Sequence, residues 1–400
     1  MNAQAHKNDA GVIKFLIENS IFLILGSLVA LIWVNVDSSS YKHASHSIHF
    51  VVNDVLMAFF FLLAGKEIRE SMLPGGALSN GKTAALPIMA TIGGMLFPAA
   101  IYFAGAKIFD PSLSSGWAIP MATDIAFCYL VARMIFPKTS DGKQHPAILF
   151  LLLLAIADDA GGLIILAAFY PSAQSDMSAF VILVAQGIAL ALFLWKVLKV
   201  KSFWLYLLGA GPLLWMGFYK GGIHPALALV PLAWLMPHEH SDLGIWAPGE
   251  SEQEDTLNRM EHWWKTPVEL FLGLFGFVNA GVEVSGVGIG TALVLAGLLI
   301  GKPFGIYFMT RLGQKLGMKL PEGMNNKDVI VVGFAAAIGF TVALFISVVA
   351  FPAGPIQDSV KMGALLSFLA APLTIVLAKI LLVKPKTDSS VQHSPKKSAA

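Results

Sequence analysis

The sequence predicts an all-α polytopic membrane protein of about 12 transmembrane helices, and three observations predict it. The 400 residues are 56% hydrophobic and only 13% charged, about half the charge of an ordinary water-soluble chain. Mean hydropathy is +0.70. The apolar residues gather into long runs, and a bilayer span needs roughly 20 of them. Twelve such runs consume most of the chain and leave only short loops and tails. The single Cys128 excludes an internal disulfide, an iron–sulfur cluster and a thiolate zinc site.

The elements follow in order. The first run begins after Lys14 without a small-residue cleavage site, so 15–35 reads as a retained span after an N-terminal segment, 1–14. Further spans are expected at 50–70, 84–106, 116–136, 147–170, 177–198, 202–218 and 222–237. A polar loop, 238–265, carries seven acidic side chains and three histidines. Spans at 267–284, 287–310, 328–351 and 360–383 complete one integral domain, 15–384, and the Ser/Lys-rich tail 385–400 has a disordered composition. With this numbering, 22 of the 27 Lys and Arg fall on the side of both termini and 4 on the other. The positive-inside rule then puts both termini in the cytoplasm. A missed span would scramble that split, so the split also supports the count. No phosphate-cradling Gly-rich loop, zinc pattern or nucleophile elbow occurs, which argues against an ATP-driven pump.

Ionisable groups inside the apolar runs carry the functional signal, because each costs about 2.5–3.5 kcal/mol near the bilayer centre. Asp158 and Asp159 lie in LLLLAIADDAGGLIILAAFY. Adjacent helical residues point about 100° apart, so the two carboxylates serve different neighbours. Two like charges in a low-dielectric setting invite a proton and a hard cation to compete for them, and oxygen ligands suit Na⁺ or Li⁺. Asp124 follows Pro120 in GWAIPMATDIAF; the proline removes a donor and disfavours helix before it, so this span is expected to be interrupted near 119–124, with Thr123 and Asp124 lining the break. Capping of the second half-helix by Thr123 and Asp124 is compatible with that role. Lys302, in GLLIGKPFGIYFM, is the one cation that reads as buried well inside a span; it either snorkels to an edge or pairs with one of the aspartates. Gly339, Phe340 and Thr341, in GFAAAIGFTVALFIS, offer a second break. Interrupted spans at corresponding positions in two halves point to a transporter's binding site. Here the breaks fall in spans 4 and 11, so triplets 3–5 and 10–12 would be inverted repeats.

These stretches resemble the NhaA-type sodium/proton antiporters. The matching segments are NDVLMAFFFLLAGKEIRE (53–70), GWAIPMATDIAF (116–127), LLLAIADDAGGLIILAAFY (152–170), KGGIHPALA (220–228), FVNAGV (277–282), GKPFGI (301–306) and GFTVALFIS (339–347). The resemblance implies that Asp159 is the principal ion- and proton-binding carboxylate, that Asp158 is its partner and pairs with Lys302, and that Asp124 and Thr123 supply charge and oxygen at the crossing of two broken helices. It also implies electrogenic exchange, two entering protons for each Na⁺ or Li⁺ that leaves, with activation at alkaline pH. A homodimer in the bacterial inner membrane is implied, with no cofactor beyond the transported ions, no nucleic-acid partner and no enzymatic activity. Glu67, Glu261 and His262 would belong to the pH-response region, although a solvated ion pair of Glu67 with Lys66 or Arg69 is the plainer reading. This region departs from the family: Arg69 is followed by Glu70 and Ser71 rather than by a second basic residue, and Lys265 stands where a histidine is usual. Glu283 reads as a helix-end carboxylate, His224 as a helix-start residue and Asp54, beside Asn53, as structural.

Three other readings compete. A sodium-coupled symporter of an organic solute could use a similar inverted-repeat fold, but three aspartates against one lysine favour a small cation. An intramembrane aspartyl protease needs two facing aspartates on separate helices, which Asp124 and Asp158 supply only superficially, since Asp159 and Lys302 suit that chemistry poorly. A passive cation channel would lack saturation and proton counter-flow.

Overall fold

The structure is a computed structural model that describes residues 20–74, 76, 78–79, 81–136, 144–171, 175–238 and 255–381. The expected segments 1–14 and 385–400, and most of the 238–265 loop, lie outside the described residues. Among those described, the regular structure is helical and no strand occurs. The chain runs through α1 (Ile21–Val36), α2 (Ser38–Met72), α3 (Gly81–Phe109), α4 (Ile125–Ile135), α5 (Pro146–Phe169), α6 (Met177–Val197), α7 (Gly211–Gly221), α8 (Val230–Leu235), α9 (Thr256–Asn279), α10 (Ile289–Lys315), α11 (Asn326–Ala335), α12 (Phe340–Ala350) and α13 (Pro355–Ile380). Helix is found over most of every stretch read as apolar. By length and composition α2, α3, α5, α6, α10 and α13 can each cross a membrane, and α11 with α12, bent by 50° at a short break, can form a seventh span.

Without a hydrophobic drive between helices in lipid, small residues set which helices meet. Gly93 of α3 faces Gly305 of α10 so closely that a methyl group on either would strike the other's backbone. Farther along the same contact, a Cβ on Gly301 would stand 2.8 Å from the Cα of Pro98. This approach brings Lys302 against α3 and buries it completely. Gly26 seats α1 on α9 closely too, since a methyl group there would strike the backbone of Gly273. The Thr91 hydroxyl lies 3.2 Å from the Leu154 carbonyl and ties α3 to α5.

Two interruptions face each other in the middle of the bundle. Before α4, a 3₁₀ turn at Ile119–Met121 gives way to extended backbone at Ala122, and Asp124 then caps α4. Pro120 sits in that turn, where its missing N–H breaks no ladder. Between α11 and α12 the chain leaves helix at 336–339. A Cβ on Gly339 would lie 3.1 Å from the Ala122 carbonyl oxygen, so glycine lets the two irregular segments touch.

Candidate functional site

The site grows from backbone groups that the two breaks expose. A buried unpaired peptide group costs free energy comparable to a lost hydrogen bond, and each break satisfies the other. The Asp124 N–H donates to the Ile338 carbonyl at 2.7 Å. The Thr341 N–H donates to Asp124 Oδ2 at 3.1 Å, and the Thr341 hydroxyl donates to the same oxygen. Asp124 Oδ1 also accepts from the Phe127 N–H at 3.4 Å. One carboxylate therefore caps the N-terminal ends of α4 and α12, the positive ends of both helix dipoles.

The aspartate pair on α5 meets this crossing from the side. Asp158 Oδ2 takes a hydrogen bond from the Thr123 hydroxyl at 2.7 Å and an ion pair from the Lys302 ammonium at 2.7 Å. The Thr123 oxygen also lies 3.1 Å from the Ala336 carbonyl, and Lys302 donates as well to the Met121 carbonyl, inside the first break. The lysine thus sits between a carboxylate and a carbonyl that lost its helical partner. Asp158 Oδ1 and Asp159 Oδ1 are buried and have no hydrogen-bond partner among the described residues. Both aspartates line a small cavity walled by Phe60, Phe61, Leu163 and Val342. An ionised carboxylate oxygen in such a place calls for a proton or a cation. Chemically, the cluster can bind a small hard cation or protons through oxygen atoms.

The sequence-expected residues therefore fall into two groups. Asp124, Thr123, Asp158, Lys302, Gly339 and Thr341 are joined by contacts at the crossing, Asp159 lies beside Asp158 on the cavity, and Pro120 sits in the turn just before. Glu67 and Glu261 are elsewhere. Together with Glu70 they bring carboxylate oxygens within 4.8 Å of one another, where α2 meets α9. Lys66 is fully buried there, 2.5 Å from Glu70 and in contact with Glu261. A solvated ion pair is thus not what forms: Lys66, Glu67, Arg69 and Glu70 are all buried. Arg69 turns aside to donate to the carbonyls of Ala233 and Met236. His262 is exposed, next in the chain to buried Glu261. His238 instead joins the cluster, with Nδ1 at 2.5 Å from Asp255 and Nε2 at 3.7 Å from Glu70.

Sequence reasoning missed Lys66, Glu70, Asp255 and His238 as one network. The i,i+4 spacing of Lys66 and Glu70 was an available signal; the link to Asp255 and His238 was not. It also missed the carbonyls of Met121, Ala336 and Ile338, which any residue could provide. Glu283 pairs with Lys42 at 3.0 Å on the surface. The His224 ring accepts from the Ala226 N–H at 3.3 Å, capping a short turn, and Asn53 pairs with Asn279 at 2.8 Å, next to Asp54.

Comparisons with known proteins agree in kind. A family model described as Na⁺/H⁺ antiporter 1 matches residues 12–378. The chain is 44% identical to a protein named Na(+)/H(+) antiporter NhaA from Jannaschia sp. (strain CCS1), covering 93% of this chain and 98% of that relative. It is also 44% identical to one of the same name from Desulfitobacterium hafniense (strain DSM 10664 / DCB-2), covering 94% and 98% respectively. Among solved structures, the sodium proton antiporter MjNhaP1 from Methanocaldococcus jannaschii, solved at pH 8, overlays with a TM-score of 0.54 at 14% identity, over 96% of this chain and 99% of that one. At that identity the likeness is one of fold.

Proposed function

The chain belongs to the Na⁺/H⁺ antiporter 1 family, and we propose that it is a secondary antiporter that exports Na⁺ or Li⁺ in exchange for entering protons. The observation that carries this reading is the pair of buried, unpartnered oxygens, Asp158 Oδ1 and Asp159 Oδ1, beside a cavity at the crossing of two broken helices. Protons and a hard cation compete for those oxygens. With Na⁺ bound, Asp159 and Asp158 are ionised; protons arriving from the outside displace the ion, and the protonated site returns. Thr123 and Asp124 complete the oxygen lining. Lys302 holds Asp158 until a change of protonation releases it.

Exchange is electrogenic in this reading, because a single cation is replaced by protons on two groups. The stoichiometry is one Na⁺ for two H⁺. The membrane architecture is of 12 spans, with α3 to α5 and α10 to α13 as inverted repeats that rock about the crossing. Both termini lie in the cytoplasm of a bacterial inner membrane, the working unit is a homodimer, and activity rises at alkaline pH, with Glu67, Glu261 and His262 in the responding region.

A transmembrane pH-gradient assay in everted vesicles from cells lacking their own antiporters tests the reading. Adding Na⁺ or Li⁺ between pH 6.5 and 8.5 collapses the gradient, more strongly at higher pH. No response to any alkali cation, with Na⁺-driven uptake of a labelled organic anion in its place, would overturn it.

A further inference from the structure

Among the described residues, none of helix α13 lines the cavity beside the aspartates, yet the helix changes form beside the crossing. Its α-helical ladder tightens into a 3₁₀ turn at Ser367–Leu369. Ser367 is fully buried. Its hydroxyl donates to the Ala364 carbonyl at 2.6 Å and accepts from the Gly339 N–H at 3.3 Å. Gly339 is the residue that caps α12. Its N–H has left the helical ladder, and Ser367 brings it an acceptor from outside the two broken segments. The next residue extends the same hold through packing. The Phe368 ring lies 4.5 Å from Phe340 and 4.9 Å from Phe127, and those two rings are 6.0 Å apart. Phe340 opens α12, and Phe127 sits in the first turn of α4. One irregular turn of α13 therefore grips the starts of both half-helices, by a hydroxyl on one and by a ring against both.

We propose that Ser367 is a positioning residue for cation binding. Through the Gly339 N–H it sets where α12 begins, and so where Thr341 meets Asp124. Phe368 is its packing partner. The proposal rests on the antiporter reading, since it assigns Ser367 a role at that reading's ion site. Losing the hydroxyl leaves a buried N–H without its acceptor and lets the entry to α12 shift. A displacement of that kind weakens cation binding while leaving the aspartates in place.

The test uses the full-length chain in everted vesicles, with Na⁺ and Li⁺ titrations of wild type, Ser367→Ala, Ser367→Thr and Phe368→Leu. Ser367→Ala is expected to raise KM for both cations about tenfold, in line with the loss of one buried partner, with kcat within about twofold. Ser367→Thr keeps the hydroxyl and restores KM. Phe368→Leu shifts KM in the same direction as Ser367→Ala, but less. Hydrogen exchange by mass spectrometry, in purified protein without any cation, is expected to show faster exchange over 337–342 in Ser367→Ala alone. An unchanged KM together with unchanged exchange over 337–342 would overturn the proposal, as would a fall in kcat that Ser367→Thr does not reverse. Wild type that exchanges no cation defeats the antiporter reading instead, and the hydrogen-exchange result still decides whether Ser367 holds the break.

Discussion

At the crossing of α4 and α12, three aspartates face one lysine; where α2 meets α9, Lys66 is clasped by Glu70 and Glu261, and His238 lies between Asp255 and the same Glu70. Both clusters bury charges that water would otherwise solvate, and breaking a buried pair by removing one partner costs about 3–5 kcal/mol. They meet that cost differently. In the α2–α9 cluster, cations and acids interleave across the interface, and the arrangement ties two helices together. At the crossing, Lys302 and Thr123 both engage one oxygen of Asp158, while among the described residues Asp158 Oδ1 and Asp159 Oδ1 find no partner beside a cavity. Unmet capacity of that kind is what an exchanger needs. Ion pairs that bridge two helices in this way suit a structural or regulatory task.

The sharpest way to break this comparison is to neutralise one acid in each cluster. Asp159→Asn is expected to lose Na⁺- and Li⁺-dependent collapse of the pH gradient at every pH, down to the level of vesicles without the protein. Glu261→Gln is expected to keep exchange in protein that is inserted. Equal losses in both would erase the distinction.

A second test removes the central cation of the α2–α9 cluster. Lys66→Met leaves Glu70 and Glu261 facing each other and is expected to lower stability by about 3–5 kcal/mol. Thermal unfolding in detergent reads this, and the triple change Lys66→Met, Glu70→Gln, Glu261→Gln should recover part of the loss. Full stability in the single variant would mean that the network does not hold α2 to α9.

At the crossing, Thr123→Val deletes the hydroxyl that serves Asp158. A hydrogen bond to a charged group is worth about 1.5–3 kcal/mol, so KM for Na⁺ should rise about tenfold or more, measured from initial rates in vesicles. The smallest effect is expected at the surface. Hydrogen bonds from Ser38 and from Lys42 hold the Glu283 carboxyl below its ordinary range. Any stability it adds is therefore present at neutral pH and lost as pH falls through that lowered value. Because the pair is open to solvent, Glu283→Gln should leave both the melting temperature and the pH profile of exchange unchanged.

Much of the crossing was legible in the sequence because it breaks rules that lipid enforces. Aspartates at 124, 158 and 159, a lysine at 302 and a proline at 120 have no business in apolar runs unless they meet one another. Their partners were harder to read. Lys302 leans on the Met121 carbonyl and Thr123 on that of Ala336, and a backbone oxygen carries no side-chain signature. The hold of Ser367 on Gly339 was hidden for a related reason, since a serine in a membrane helix more often bonds its own preceding turn. At the α2–α9 cluster the charges themselves misled. Glu67 with Lys66 or Arg69, at the end of an apolar run, read as a solvated ion pair, but α8 and α9 cover these residues, and only tertiary packing reveals that. The family resemblance put Glu261 and His262 in one pH-response region; on a helix, neighbours point about 100° apart, and one is buried while the other is exposed.

The claim that cation and protons compete for the same aspartates can be tested by calorimetry. Purified protein would be titrated with Na⁺ or Li⁺ at pH 8 in two buffers of different protonation enthalpy, which reads the protons released per cation bound. Linkage is reciprocal: if protons weaken cation binding, the cation must expel protons. The account predicts that more than one proton, approaching about two as the pH is lowered, leaves for each cation bound, and that Asp159→Asn gives no binding heat. Cation binding without proton release, or binding that survives Asp159→Asn unchanged, would contradict it.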